Sequence, residues 1–141
     1  MKHLSATVFL LCAFAGLAGE PSWWRARGVT NGNASDDFAA ANLGQLKNIA
    51  RAASEELDAK IPHGAGTEIK SLLAGFSRGD DFAAINLGQL KAAAKPFYDR
   101  LIAEGFAKEY PWNSRGTSDD SAAANLGQLK NIFSFEIPAR K

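Results

Sequence analysis

Cysteine is all but missing from the chain: Cys12 is the only one in 141 residues, and it lies inside the apolar N-terminal run. A disulfide framework, a thiolate metal site and a cysteine nucleophile are therefore excluded from everything after that run. Histidine is nearly as scarce, with only His3 and His63. That removes a multi-histidine metal centre and a histidine-based hydrolytic triad, so neither a metal nor another cofactor is expected and no catalytic residue is assigned. An excess of charge of either sign is also lacking. Lys and Arg number 16 against 15 Asp and Glu, a formal net charge of +1, and losing Lys2 evens the balance. No broad attraction to nucleic acid or to an anionic membrane follows, and no glycine-rich phosphate loop occurs. What is present, 46% hydrophobic and 22% charged residues, is the composition of a globular domain.

The first 19 residues read as a secretory signal peptide. Lys2 and His3 precede an apolar run from Leu4 to Leu17, and small residues surround a cleavage point near Ala18 to Glu20. The run is too short to span a bilayer comfortably, so no membrane span is expected once the leader is gone. Residues 20–141 form one domain of modest core on this reading, exported to the cell envelope or beyond.

One segment occurs three times. Asp36-Asp37-Phe38-Ala39-Ala40-Ala41-Asn42-Leu43-Gly44-Gln45-Leu46-Lys47 returns as Asp80-Asp81-Phe82-Ala83-Ala84-Ile85-Asn86-Leu87-Gly88-Gln89-Leu90-Lys91. It returns again as Asp119-Asp120-Ser121-Ala122-Ala123-Ala124-Asn125-Leu126-Gly127-Gln128-Leu129-Lys130. The copies span 36–50, 80–94 and 119–133, and such a period marks a repeat architecture. An aromatic and an Arg-Gly pair precede each copy, at Arg27, Arg78 and Arg115. The predicted fold is all-α: a compact domain of three repeated helical units with Arg-Gly turns between helices.

Asp is a good N-cap and suits the positive end of a helix, so each copy predicts a helix opened by its Asp pair. The first runs on to about Asp58, Thr67 to Leu73 forms a second, and Pro96 kinks or restarts the helix of the middle copy before it ends near Gly105. Phe133 to Pro138 suggests a short extended tail. On a helical wheel Asn42 falls amid Phe38, Leu43, Leu46 and Ile49, with Gln45 at the edge. Asn86 with Gln89 and Asn125 with Gln128 repeat the pattern. A carboxamide in an apolar stripe costs about 1–3 kcal/mol unless bonded. The expectation is that these amides are buried and pin the Arg-Gly turns, with a groove for a sugar or peptide as the alternative. Gly44, Gly88 and Gly127, set in helices where glycine is costly, point to close backbone approach.

Other candidates compete with plain packing. Trp23, Trp24 and Trp112 offer a stacking platform for a glycan or an anchor for another protein, or else pack over helix ends with Arg27 or Arg115 against them. Asn31, Asn33, Ser35, Asp37 and Asn42 fall at the spacing of a calcium loop, but the bidentate Glu and central Gly of such loops are missing. Arg78-Gly79-Asp80 matches an adhesion tripeptide where two motif elements happen to abut.

The Asn-x-Gly-Gln-Leu-Lys segments, Pro21-Ser22-Trp23-Trp24 and the stretch Lys95-Pro96-Phe97-Tyr98-Asp99-Arg100-Leu101 together resemble an uncharacterised repeat module of exported bacterial proteins. The resemblance covers nearly all of the chain after the leader and implies a secreted or periplasmic setting, but no activity. A looser likeness is to dockerins, whose calcium loops lead into helices carrying Leu-Lys. The expected function is a non-catalytic structural or protein-interaction module of the bacterial envelope or exterior, with another envelope protein or a glycan as partner. The alternatives are a carbohydrate-binding module using exposed Trp and a calcium-dependent docking module.

Overall fold

The computed structural model of the chain describes residues 20–29, 37–112 and 119–139. The leader, the alternating donors Asn31, Asn33 and Ser35, and Arg115 lie outside the described residues. The domain is all-α. Five helices occur among the described residues: α1 (Ser22–Ala26), α2 (Leu43–Lys60), α3 (Thr67–Gly75), α4 (Leu87–Ala103) and α5 (Leu126–Ile132), with a 3-10 turn at Phe76–Arg78 after α3. None is long and apolar enough to cross a membrane.

The helices do not start where the Asp pairs predicted. α2, α4 and α5 begin after Asn42, Asn86 and Asn125, whose φ and ψ are those of extended chain (−116° and 169° at Asn42). Residues before each Asn therefore belong to no wheel, and Phe38, expected in the apolar arc, is 94% exposed. The arc itself is correct from Leu46 onward: Leu46, Ile49, Ala50, Ala53 and Leu57 are buried along α2, at the spacing of one helical face. α2 ends at Lys60, where His63 and Gly64 take positive φ and the Asp58 carboxylate accepts the Ala65 N–H at 2.9 Å. Pro96 neither stops nor restarts α4, which runs unbroken to Ala103. Phe97 and Leu101 beyond it are buried, and that burial outweighs one missing backbone hydrogen bond.

The chain ends close the core on one side. α1 sets Trp23 and Trp24 inside the protein, 2% and 4% exposed. Their indole N–H groups donate to the carbonyls of Phe135 (2.7 Å) and Phe133 (3.1 Å) in the C-terminal tail. That tail begins with Phe133 as the C-cap of α5 and carries no regular structure beyond it, with Phe133 and Ile137 buried. Tyr98 of α4 donates its hydroxyl to the Ile132 carbonyl at 2.6 Å, and its burial raises the phenol pKa well above the ordinary value. Arg27, at the turn after α1, donates to the buried Glu56 carboxylate through Nε (3.2 Å) and Nη2 (3.0 Å), and Lys60 lies 3.1 Å from the other oxygen. A buried carboxylate is tolerated only when so paired.

Candidate functional site

The three repeated segments meet and close a ring. Just before each Asn the backbone is extended, and each segment pairs with the other two through single antiparallel bridges: Ala40 with Asn125, Asn42 with Ala84, Asn86 with Ala123. At the centre the Ala41 N–H donates to the Ala124 carbonyl, the Ala124 N–H to Ile85 and the Ile85 N–H to Ala41, at 2.9, 3.0 and 3.1 Å. Further out, the Leu43, Leu87 and Leu126 N–H groups donate to the Ala83, Ala122 and Ala39 carbonyls. The outer bonds thus run from each copy to the next and from the third back to the first, and the central ones run in the opposite sense. Three strand-like pieces too short to form a sheet satisfy their polar backbone by cyclic exchange. The equivalence ends with the segment, because α2 and α4 have 18 and 17 residues and α5 only 7.

The glycines lie where the ring is tightest. The Gly44, Gly88 and Gly127 N–H groups donate to the carbonyls of Asp81, Asp120 and Asp37 at 2.8–2.9 Å. A Cβ added at these glycines would come within 3.1–3.2 Å of the same aspartates' Cβ and carbonyl oxygen. Close backbone approach, expected from the sequence, is what the glycines provide. The Lys that closes each motif then reaches back over the joint. Lys91 Nζ is 2.8 Å from Asp120 and 3.0 Å from Asp119, Lys130 is 2.7 Å from Asp37, and Lys47 pairs with Asp81. Lys47 also donates to the Gly79 carbonyl at 3.2 Å.

These pairs are mostly in solvent and individually contribute little. Hydrogen bonding to Asp120 and Asp119 raises the Lys91 pKa above 10.5, and Lys91 in turn lowers that of Asp119 below 3.8. Their attraction is therefore full near neutral pH. It fades as acid takes the pH below the ordinary carboxylate range, and as base takes it beyond the ordinary lysine range.

The carboxamides have a different task from the one expected. Asn42, Asn86 and Asn125 are half-buried N-caps rather than buried wedges. Each side-chain oxygen accepts the N–H of Gln45, Gln89 or Gln128, and each Gln oxygen accepts the Asn N–H in return, all at 2.8–2.9 Å. This reciprocal box satisfies two otherwise orphaned donors per helix. The carboxamide oxygens are thus engaged within their own segment, and among the described residues no hydrogen bond joins these side chains to the Arg27-Gly28 or Arg78-Gly79 turn. The Arg78-Gly79 turn is held instead by Lys47, while Arg78 itself is exposed. Asn86→Ala is expected to lower stability by about 1 kcal/mol, read as a shift of the urea midpoint at unchanged slope, and Asn42→Ala and Asn125→Ala should match it.

The aromatic candidates also sit elsewhere. Trp23 and Trp24 are core side chains, so neither is an exposed platform; their apolar area is buried and their N–H groups are already bonded. Trp112 is partly buried, stacked on Tyr110 with ring centres 5.1 Å apart and edge-on to Tyr98. Arg27 lies against Glu56 rather than on an indole. Of the residues at calcium-loop spacing, Asp37 is paired with Lys130 and the Asn42 oxygen caps α2. Among the described residues no three His, Cys, Asp or Glu side chains gather at one point.

Sequence reasoning missed Phe38 and Phe82, which stand 94% and 89% exposed at equivalent places on the ring. Their signal was present: the third copy carries Ser121 at that place, and a position that takes either phenyl or hydroxyl is one facing water. Comparison with protein-family models, with curated proteins and with solved structures returns no match.

Proposed function

We propose that this chain is an exported, non-catalytic module that serves the bacterial envelope or exterior by structure and protein interaction. The observation that supports it most is the fate of the repeated polar side chains. Among the described residues, the Asn and Gln side-chain oxygens of the three segments cap helices, and the three motif lysines pair with Asp81, Asp119, Asp120 and Asp37 across the joints. A catalytic site needs acid, base or nucleophile groups left available and gathered around a substrate; here the repeated groups act as fasteners for a rigid frame. Export follows from the apolar leader. The frame's outer surface then carries the interaction.

Expression of the full chain in a bacterium tests both halves. Recovery from the periplasm or medium, shortened by about the leader's length, is the expected result; retention of the full-length chain in the cytoplasm overturns the export reading. Turnover of any peptide, ester or glycoside by the purified chain overturns the non-catalytic one.

A further inference from the structure

The corner where the chain passes from α3 into the middle copy differs from its counterparts. Arg78, Gly79 and Asp80 are all exposed, and among the described residues neither Arg78 nor Asp80 makes an ion pair. The equivalent charges elsewhere are occupied: Arg27 holds Glu56, and Asp37, Asp81, Asp119 and Asp120 each pair with a lysine. The glycine between the two free charges is fixed. Its N–H donates to the Phe76 carbonyl at 3.3 Å and its carbonyl accepts from Lys47 Nζ at 3.2 Å, while a Cβ there would run into the Leu43 side chain of α2. Asp80 is held as well, its carbonyl accepting the Ala83 N–H at 3.1 Å and its Oδ1 the Phe82 N–H at 3.0 Å. A free guanidinium and a free carboxylate are thus displayed on a turn whose backbone is already ordered, and such a display loses little entropy on binding. Phe82, 89% exposed two residues further on, adds the kind of aromatic area that interfaces favour.

From this we infer that the Arg78–Asp80 corner binds an adhesion receptor of animal cells, one that offers a carboxylate to Arg78 and a bound divalent cation to Asp80. The inference deepens the interaction reading above, on which it rests, by naming the partner. Charge complementarity argues for both halves. The Arg78 side chain makes no hydrogen bond among the described residues, so its fork of donors remains whole for a carboxylate, which it grips through two parallel bonds. At Asp80 one oxygen already takes the Phe82 N–H, which leaves Oδ2. That denies an arginine fork its second oxygen, whereas a hard cation binds a carboxylate through a single one. A receptor that reads Arg-Gly-Asp must present these two features, one on each side of the glycine. Only the middle copy joins its Arg-Gly directly to its Asp pair, so the chain carries the tripeptide once.

Solid-phase binding of the full exported chain to a panel of purified Arg-Gly-Asp-reading receptor ectodomains, in manganese buffer, is the test. Saturable binding that EDTA abolishes is expected with at least one of them. R78A and D80N should each weaken it about 10-fold or more. Asparagine at position 80 keeps an oxygen for the Phe82 N–H and removes only the charge, so both variants should match the wild type in circular dichroism and urea midpoint. Absence of binding to every receptor at about 100 μM overturns the inference, as does binding that survives EDTA or that either variant leaves unchanged. None of these results touches the export and turnover tests of the underlying reading.

Discussion

The triple variant G44V/G88V/G127V is expected not to reach the native state. Each of these glycines sits in the first turn of a helix, with its N–H bonded to the carbonyl of an aspartate in the adjoining copy. A first side-chain carbon would already lie 3.1–3.2 Å from that aspartate's Cβ and carbonyl oxygen, and valine's branches fill the remaining space. Because the contact is backbone rather than a flexible side-chain end, relief requires moving the joint apart and stretching the hydrogen bond within it. Overpacking of this kind costs about 1–3 kcal/mol per site. Three sites in one closed ring reach a sum comparable with the 5–15 kcal/mol that holds a domain of this size. Loss of the cooperative urea transition by circular dichroism is the outcome to look for, and a transition near that of the wild type contradicts the ring. A single G88A is a milder probe. Alanine gains about 0.5–1 kcal/mol of helix preference over glycine, so the variant should lie close to wild type, with crowding and propensity opposed.

Trp23→Ala should be the most damaging single truncation, lowering stability by about 3–5 kcal/mol. The indole is 2% exposed, stacks on Phe135 with ring centres 5.3 Å apart and meets Trp24 edge-on. Its N–H holds the Phe135 carbonyl at 2.7 Å. Removal opens a cavity and leaves that carbonyl without its donor. Trp23→Phe separates the two effects, keeping most of the volume and losing the hydrogen bond, with about 1 kcal/mol expected. Urea unfolding of the three proteins checks both values. A Trp23→Ala loss under 1 kcal/mol would mean that α1 and the C-terminal tail are not docked as described.

How legible this was in the sequence varied with the range of the interaction. The long apolar face of α2, the stop at Ile61 to Gly64, α3 and the end of α4 near Gly105 were all readable, because helix periodicity, turn residues and positive φ are written within a few neighbours. Helix starts were misread by five or six residues. Asp and Asn are both good N-caps, and the one local mark that separates them is the Gln three residues after each Asn, the partner in a capping box. The choice falls to Asn because the residues between are needed in extended form, to exchange backbone hydrogen bonds with segments about 40 and 80 positions away. The same cause moved Phe38 from the supposed apolar face into water. Gly44 was rightly read as a close approach, but the approaching group, the Asp81 backbone, had no mark in the sequence.

The indoles show the limit from the other side. A tryptophan near an Arg-Gly turn reads equally well as platform or core, and the decision came from the C-terminal tail, more than 100 residues later, whose carbonyls accept both N–H groups.

The amino-acid sequence by itself determined the all-α class, the threefold recurrence and the helical stretches. Each rests on preferences of residues for their immediate neighbours, and those act whatever the rest of the chain does. Only the tertiary structure decided that the copies join head to tail in a closed circle, that the amides cap helices, and which aromatics face water. Ring closure couples three distant segments at once: the N–H groups of Ala41, Leu43 and Gly44 and their counterparts are satisfied only when the other two copies are in place, a condition that no stretch of sequence carries alone.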